Sequence, residues 1–355
     1  MKKIKLVVSD FHLGNGRYLP DGKVNPLEDF QYDEEFIDFL EYHGSDEAGG
    51  PRDLELIING DFFNMIQLLG EEQAQGILTE RAALAKVEAI MNGHRELFVA
   101  LREFNARDRR RVVFVLGNHD PQLLWKGVQE AIRRTVQGEV VFVEDAYRFD
   151  GVHIEHGHQL ESIFQMDPER YFLTRGYPEP VLNLPWGVFF VKDYLYRIKR
   201  RRPFVDKVAP YGLYWRWCMF NDFWFGLVAF FSYLWFILRT RFSKLPLKRA
   251  GALKGIGAIF SLARSPTMDE EAAAIMERED CHTVILGHTH SPVHVKVGRG
   301  EYLNPGAWND ITHLDISNLG HGRRLHYVRL EFSQDRPQAR LCEWIGLQRP
   351  FRVLR

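Results

Sequence analysis

Five short motifs in the sequence carry the residue types that bind divalent metal ions. They are Ser9-Asp10-Phe11-His12, Asn59-Gly60-Asp61, Gly117-Asn118-His119-Asp120, Glu155-His156-Gly157-His158 and Gly287-His288-Thr289-His290. Together they offer carboxylate and amide oxygens and imidazole nitrogens but no thiolate, a donor set that suits Mn²⁺, Fe or Zn²⁺ in an open catalytic site. Each motif alone is ambiguous, because Gly-Asp is a common turn and a single histidine is more often structural. Five such motifs, each after a predicted strand, indicate one shared metal site.

An alternation of strands and helices must position these motifs. Apolar residues at three-to-four spacing predict helices at residues 33–43 and 80–105. Thr267 and Glu270 have the spacing of a capping box and predict a third helix over residues 268–279. Short apolar, β-branched runs predict strands at residues 4–9, 54–59, 111–116, 140–143, 152–155, 283–286, 294–297, 325–332 and 339–345. The alternation predicts an α/β sandwich, in which the loops at the carboxyl ends of the strands share one crevice.

The composition is that of a globular protein with one or two domains. The chain has 355 residues, of which 45% are hydrophobic and 26% are charged. Its cysteines, Cys218, Cys281 and Cys342, have no paired spacing, which argues against a disulfide framework or a CxxC zinc site and favours a reducing compartment. Asp10 follows the first apolar run too early for a secretory signal peptide. We therefore expect a cytoplasmic protein.

Residues 165–265 differ in texture from the rest of the chain. Aromatic residues, prolines and basic residues are dense there, and the strand–helix alternation stops. Residues 192–254 hold 14 Lys and Arg against 3 Asp and Glu, a local charge of +11 within a chain of net charge −1. Such a block faces an anionic partner or forms a solvated helical face. Since metal motifs lie on both sides, we interpret residues 165–265 as a helical insertion into a discontinuous catalytic domain, residues 1–164 and 266–355.

The motif set and its order resemble the calcineurin-like metallophosphoesterase family. Asn304-Pro305-Gly306 is similar to the turn that follows the last motif in that family. The resemblance implies a four-layer αββα sandwich holding two divalent metal ions, with Mn²⁺ favoured over Fe or Zn²⁺. By motif, Asp10, His12 and His290 hold one metal ion, Asn118, His156 and His288 hold the other, and Asp61 bridges them. A bridging carboxylate offsets the repulsion between two cations about 3.5–4 Å apart.

Further residues follow from the same resemblance. His119, beside the ligand Asn118, contacts the phosphoryl group or protonates the leaving oxygen, a task suited to imidazole. Asn64 stands where phosphoprotein phosphatases of the family have an aspartate that orients this histidine, which disfavours protein phosphatase activity. Either Asp120 compensates or the leaving group needs less acid assistance, as a nucleotide phosphate would. His158 and Arg17 are candidates for contacting the substrate or supporting the ligands.

The substrate prediction rests on a second resemblance, to UDP-2,3-diacylglucosamine pyrophosphohydrolases. Those enzymes have a similar Ser-Asp-x-His-Leu-Gly opening and a helical insertion that shields an acylated substrate. This chain departs from them in its larger insertion and in His119, where they commonly have arginine. The resemblance implies hydrolysis of a phosphoester or pyrophosphate bond in a lipid-linked, nucleotide-activated substrate, and another lipid-linked or nucleotide-linked phosphate stays open.

Residues 224–238 hold fifteen residues without a charge, seven of them aromatic. As a helix they are about 22 Å long, shorter than the roughly 30 Å hydrocarbon core of a bilayer. Basic residues lie on both sides of this run, which is typical of a helix in an anionic membrane interface. We predict peripheral attachment to the inner face of the cytoplasmic membrane; a lid or dimer core and a true membrane span are the alternatives. The oligomeric state is not predicted.

Two other functions are alternatives to this hydrolase. In the first, a nuclease or cyclic-nucleotide phosphodiesterase, the basic block tracks a phosphate backbone; the aromatic residues fit this poorly, since they are massed rather than interleaved with the charges. In the second, a non-catalytic scaffold, metal ligands or the Asn118-His119 pair should be missing. Every position is filled.

Overall fold

Two β sheets packed face to face form the centre of the molecule. The computed structural model describes residues 2–19, 21–45, 52–66, 77–202, 205, 207–209, 211–243, 248–249, 251–255, 257, 268–313, 324–333, 336–348 and 350–354. The strands are β1 (Lys2–Val8), β2 (Arg52–Asn59), β3 (Arg110–Val115), β4 (Val140–Val143), β5 (Ala146–Phe149), β6 (Val152–Glu155), β7 (Phe172–Leu173), β8 (Val181–Leu182), β9 (Val208–Ala209), β10 (Thr283–Ile285), β11 (Val293–Val297), β12 (Gly300–Asn304), β13 (Thr312–His313), β14 (Leu325–Ser333), β15 (Arg336–Trp344) and β16 (Phe351–Val353).

The larger sheet has the strand order β16-β15-β14-β1-β2-β3-β4, and the smaller has the order β11-β12-β10-β6-β5. Strands β1 to β4 run parallel, as do β6, β10 and β12. Side chains alternate between the faces of each strand. Val7, Ile57 and Val113 of the larger sheet therefore pack against Ile154 and Ile285 of the smaller one in a buried layer.

Helices cover the outer face of each sheet. The helices are α1 (Asp33–Gly44), α2 (Glu80–Gly93), α3 (Arg95–Asn105), α4 (Lys126–Val136), α5 (Trp186–Phe190), α6 (Tyr196–Lys199), α7 (Tyr211–Asn221), α8 (Phe223–Arg241) and α9 (Met268–Arg278). Apolar side chains of α1 to α4 join Leu6, Ile58 and Phe114 in one core, and α9 packs on the smaller sheet beside Val284 and Tyr302. This arrangement confirms the predicted four-layer αββα sandwich.

One helix prediction is wrong in extent, and another lies partly outside the described residues. The helix predicted over residues 80–105 is two helices, because His94 has φ −120° and ψ 39° and interrupts the α conformation between α2 and α3. Its side chain is buried between Glu28 and Asp33, so tertiary contacts override the helical periodicity. The capping residue Thr267 lies outside the described residues, while α9 itself is present.

The described part of residues 165–265 is mainly helical, and it packs on the same side as α1 to α4. A single π turn, Val191–Leu195, joins α5 to α6, and the three pieces together are called helix 186–199 below. Leu182, Trp186 and Phe189 share the buried core with α1 to α4. The division of the chain into a catalytic domain and an insertion stays a prediction.

Candidate metal centre

The five motif loops meet at the carboxyl ends of strands from both sheets. Strands β1, β2 and β3 of the larger sheet and β6 and β10 of the smaller one each lead directly into one motif. The structure thus brings all the predicted metal ligands together: Asp10, His12, Asp61, Asn118, His156, His288 and His290. His288 and His290 are partly exposed and the other five are buried, so the centre opens to solvent at the last motif.

Asp10, His12 and His290 form the first group of donors, whose ligand atoms all lie within 4.8 Å of one another. His290 Nε2 lies 3.2 Å from Asp10 Oδ1 and 3.1 Å from His12 Nε2. His12 Nε2 is also 3.8 Å from Asp61 Oδ2. The group combines one carboxylate with two imidazoles, as predicted for the first metal ion.

Asp61, His156 and His288 form the second group, with the same 4.8 Å limit between donors. His156 Nε2 is 3.3 Å from Asp61 Oδ2 and 3.2 Å from the amide oxygen of Asn118. Asp61 therefore faces both groups, which is the position required of a bridging ligand. Among the described residues, Asp61 is also grouped with His12 and His119.

The donors are prepared for a cation in two respects. Asp10 Oδ1 is buried, and the described groups around it are imidazole nitrogens of other candidate ligands, His290 Nε2 at 3.2 Å and His12 Nε2 at 3.9 Å; such a carboxylate oxygen is costly to bury unless a proton or a cation contacts it. The Nδ1–H of His156 donates to the carbonyl of Asn59 at 2.8 Å, which turns Nε2, the nitrogen that would bind a cation, toward the centre, as in metal-bound histidines. The residues present therefore fit a pair of divalent metal ions.

The electrostatics of the centre differ between its histidines. Burial lowers the pKa of His12 to about 3, so this ligand is neutral at neutral pH. Burial also acts to lower the pKa of His156, but the carboxylates of Asp61 and Asp10 outweigh it and raise that pKa to about 10. A cation that binds at His156 must therefore displace a proton.

Glycines in the motifs make room for ligands of neighbouring loops. A β-carbon at Gly60 would lie 2.4 Å from the ring of His156, and one at Gly117 would lie 2.2 Å from the Asp61 carboxylate. Gly60 also has a φ of +80°, a conformation that other residues rarely adopt. These two positions explain why the Asn-Gly-Asp and Gly-Asn-His motifs contain glycine.

The backbone at the ligands is itself unusual. Of the nine non-glycine residues with positive φ in the described structure, five are predicted ligands: Asp10, His12, Asp61, His288 and His290, with φ between 50° and 65°. Non-glycine residues in the left-handed region are strained, and such residues cluster at functional sites.

His119 lies beside the ligands and is held by Asn64. Its Nδ1 is 3.2 Å from the Asn64 amide oxygen, so Nδ1–H donates and Nε2 is left for the substrate. Its backbone N–H donates to Asp61 Oδ1 at 2.8 Å. Burial lowers the pKa of the His119 imidazole to about 4. Asn64 thus holds the orientation of the imidazole through this contact.

Three residues that the sequence motifs did not reveal support Asn64. The hydroxyl of Tyr196 donates to the same amide oxygen at 3.1 Å. The Asn64 amide nitrogen is 3.5 Å from Asp29, whose carboxylate accepts from Lys199 at 2.8 Å. Tyr196 and Lys199 come from α6, far from any motif, and no sequence spacing links them to the centre.

Two further candidates, Asp120 and His158, are buried beside the centre and have different surroundings. Asp120 does not compensate for Asn64; its carboxylate accepts from the backbone N–H groups of Gly117 and Phe62, at 2.8 Å and 3.0 Å, and so fixes two motif loops. Burial and the nearby Asp61 carboxylate raise the pKa of Asp120 to about 7. His158 is buried with its ring 5.4 Å from that of His156. Both of its ring nitrogens lack a partner among the described residues.

Arg17 is not brought into the centre. It is exposed on the loop after β1, and its guanidinium lies 5.8 Å from the ring centroid of Tyr18. Glu161 was missed by the sequence motifs; its carboxylate lies 3.5 Å from His288 Nε2, in the turn that follows His158. In the sequence, only the position of Glu161 shortly after the fourth motif could have pointed to this contact.

Comparison with known proteins finds similar solved structures. No family model matches the chain, and no curated protein matches it. A single mutant of Vps29 from Entamoeba histolytica is 13% identical, with a TM-score of 0.32 and coverage of 99% of this chain and 97% of that one. A predicted phosphoesterase from Streptococcus pneumoniae is 13% identical, with a TM-score of 0.31 and coverage of 100% and 98%. Phosphopantetheinyl hydrolase from Mycobacterium tuberculosis is 11% identical, with a TM-score of 0.30 and coverage of 86% and 90%. At these values no activity is carried over from those proteins to this chain.

Proposed function

We propose that the protein is a hydrolase of phosphoester or pyrophosphate bonds, of the calcineurin-like metallophosphoesterase type, that uses two divalent metal ions. The observation that carries the proposal is the adjacency of two donor groups, each with its ligand atoms within 4.8 Å of one another: Asp61 belongs to the second group, and its Oδ2 lies 3.8 Å from His12 Nε2 of the first. Asp10, His12 and His290 hold one ion, and Asn118, His156 and His288 hold the other. When bound, two such ions supply Lewis-acid chemistry: they favour a water nucleophile and neutralise charge on a phosphoryl group.

The chain's own residues complete the site. His119 presents Nε2 to the substrate because Asn64 holds the opposite ring nitrogen, and it serves as hydrogen-bond partner of the phosphoryl group or of the leaving oxygen. Asp120 keeps the Asp61 and Asn118 loops in register through backbone hydrogen bonds. A scaffold function without catalysis would not require this strained and fully equipped centre.

The test is a hydrolysis screen with metal-stripped protein. The protein is supplied with Mn²⁺, Fe²⁺ or Zn²⁺ and given an aryl phosphodiester, a nucleotide sugar, an acylated nucleotide sugar or nucleic acid. We expect Mn²⁺-dependent hydrolysis that Asp61→Ala reduces by at least about a hundredfold, with Asp53→Ala, an exposed aspartate on β2, as the matched control. Full activity of Asp61→Ala would overturn the proposal.

For the substrate we propose a lipid-linked, nucleotide-activated phosphate of the UDP-diacylglucosamine type, hydrolysed at the cytoplasmic face of a membrane. The support comes from α7 and α8, where large apolar side chains are exposed: Phe220 (88%), Trp224 (75%) and Trp235 (64%) among them. Exposed apolar patches of this kind mark interaction surfaces. Helix α8 is buried along one stripe only, at Gly226, Ala229, Tyr233, Phe236, Ile237 and Thr240.

Helix α8 is longer than the uncharged run of residues 224–238. It has 19 residues, about 28 Å at 1.5 Å per residue. In the described part of the chain it is the helix long and apolar enough to cross a membrane by length and composition, with a mean hydropathy of 1.5 over 18 residues, 33% of them buried. Length alone therefore does not argue against a span; we propose an interfacial position because one stripe of the helix packs on helix 186–199.

Two measurements test the finer proposal. The acylated nucleotide sugar should be hydrolysed with a kcat/KM at least about tenfold above that of its deacylated form, and equal values would remove the lipid substrate. The protein should sediment with vesicles, and alkaline extraction should release it if the helix lies at the surface. Retention in the vesicles after extraction would favour a span instead.

A further inference from the structure

Helix 186–199 has two faces with different surroundings. Tyr196 and Lys199 point to the catalytic side, where they contact Asn64 and Asp29. Asp193 and Arg197, with Arg201 just beyond the helix, are four residues apart and so lie in one row along it. This row lines a groove whose lining includes none of the candidate metal ligands.

The groove lies between helix 186–199 and α8 and has a volume of about 870 Å³. Its basic lining is Arg197, Arg201, Arg239 and Lys248, and its apolar lining includes Trp224, Phe231 and Trp235 from the exposed stripe of α8. The size is that of a pocket for a small organic ligand. A ligand in the groove would therefore meet both guanidinium groups and aromatic rings.

The positive charge of the groove is not neutralised within the described structure. Its carboxylate, Asp193, is paired with Lys248, whose Nζ lies 2.6 Å from Oδ2. No described carboxylate forms a salt bridge with Arg197, Arg201 or Arg239, and all three are exposed. Three guanidinium groups around one groove suit a phosphate, because each offers a planar pair of donors to its oxygens.

We propose that this groove binds the phosphate headgroup of an anionic glycerophospholipid, at a site distinct from the metal centre. The inference rests on the proposed membrane location and adds the group that is recognised there. A lipid is favoured over nucleic acid because the groove continues into exposed aliphatic side chains, Val228, Leu234 and Leu238, as well as aromatic ones. Acyl chains pack on such a surface, whereas unpaired bases stack on aromatic rings interleaved with the charges.

The test compares two double variants of the full-length protein. Arg197→Gln with Arg239→Gln removes two groove arginines, while Arg200→Gln with Arg241→Gln removes two exposed arginines beside them that do not line the groove. Binding is measured by sedimentation with vesicles of phosphatidylcholine containing phosphatidylglycerol, with pure phosphatidylcholine vesicles, and with a single-stranded oligonucleotide.

We expect the groove variant to bind the anionic vesicles about tenfold more weakly than the parent, with a loss several times that of the control variant. Binding to pure phosphatidylcholine should be unchanged. Equal losses in the two variants would overturn the groove site and leave only nonspecific attraction of the basic block. A larger loss for the oligonucleotide than for the vesicles would also overturn it, in favour of nucleic acid.

Failure of this site and failure of the proposed function are separable. Both double variants should hydrolyse a water-soluble phosphodiester at the parent rate, since none of the four arginines contacts the metal centre. Unchanged vesicle binding in an active groove variant would reject the groove alone. If the parent binds none of the vesicles, the membrane location and the groove are both rejected. Hydrolysis of the soluble ester by that same protein would still support the metal centre.

Discussion

The position of the His119 imidazole depends on a residue outside the motifs, Tyr196. Its hydroxyl and the Nδ1–H of His119 donate to the same oxygen of Asn64. Tyr196→Phe removes one of these bonds and frees the Asn64 amide to rotate, so His119 is held less well. A neutral hydrogen bond contributes about 0.5–1.5 kcal/mol, and we expect kcat to fall by about two- to tenfold with KM little changed.

The measurement that distinguishes positioning from general destabilisation is the dependence on the leaving group. If His119 assists the leaving oxygen, Tyr196→Phe should slow hydrolysis of an alkyl phosphodiester more than that of a nitrophenyl one, whose leaving group needs little help. Tyr18→Phe is the control, because Tyr18 is exposed on the loop after β1. Equal slowing of both esters would contradict the positioning role.

The sequence alone predicted the candidate metal ligands, but it did not predict the residues that hold Asn64 in place. Asp10, His12, Asp61 and the others follow strand ends, so local pattern and strand order place them in one crevice. Asp29 and Lys199 reach Asn64 through tertiary packing alone, and Arg17 has the type of a phosphate-binding residue but points to solvent. The type of a residue predicted its chemical role only where its place at the end of a strand also predicted where the residue would lie.

At the scale of elements, the junction of α2 and α3 contains a buried charge. His94 Nδ1 lies 2.7 Å from Asp33, and Nε2 lies 3.5 Å from Glu28. Glu28 in turn accepts from the backbone N–H groups of Gly14 and Gly16, in the loop after the first motif. Burial acts to lower the pKa of His94, but hydrogen bonds to Asp33 and Glu28 outweigh it and raise that pKa to about 9.

This junction predicts a loss of stability at alkaline pH. Because the folded pKa is raised above the unfolded value of about 6.5, the contribution is fully present below pH 6.5 and is lost as the pH rises through about 9. Its size is on the order of 3 kcal/mol. Urea unfolding of the parent and of His94→Gln should therefore differ most at pH 6 and least above pH 10.

The control for this prediction is His282→Gln, a partly buried histidine directly before β10. Its variant should keep the parent's pH dependence. A constant difference between the parent and His94→Gln from pH 6 to pH 10 would show that His94 acts by packing rather than by charge.

Element boundaries show where periodicity misleads. The pattern of residues 80–105 is helical throughout, yet His94 leaves the α region to reach two carboxylates, and no local pattern reports carboxylates at positions 28 and 33. The uncharged run of residues 224–238 underestimated α8 because Arg239 and Arg241 continue the helix into the basic flank. Charge marks the limit of an apolar run, not the end of a helix.

At the scale of the whole molecule, the metal centre joins the two sheets. Asp10, Asp61 and Asn118 follow strands of the larger sheet, and His156 and His288 follow strands of the smaller one. If the proposed ions bind both sets, they stabilise the folded chain by mass action, by about 2.7 kcal/mol for each site at a hundredfold excess over Kd. Saturating Mn²⁺ should raise the Tm on the order of 5 °C.

Differential scanning fluorimetry with and without chelator checks this coupling. Asp61→Ala, which removes the ligand that faces both groups, should lose most of the rise, while Asp53→Ala should keep it. A full rise in Asp61→Ala would mean that Mn²⁺ binds elsewhere, and would separate the thermal effect from the proposed centre.

The left-handed backbone at five of the ligands has a consequence for how this chain can change. Each such residue is strained by about 1–2 kcal/mol, and glycine is the residue that relieves the strain. Without metal, His288→Gly should unfold at a higher urea concentration than His288→Ala, although both variants lose the same ligand. Equal midpoints would show that the strain is absent. If variants of this chain were selected for thermal stability in the absence of metal ions, glycine should replace these left-handed residues before substitutions accumulate in the buried layer between the sheets.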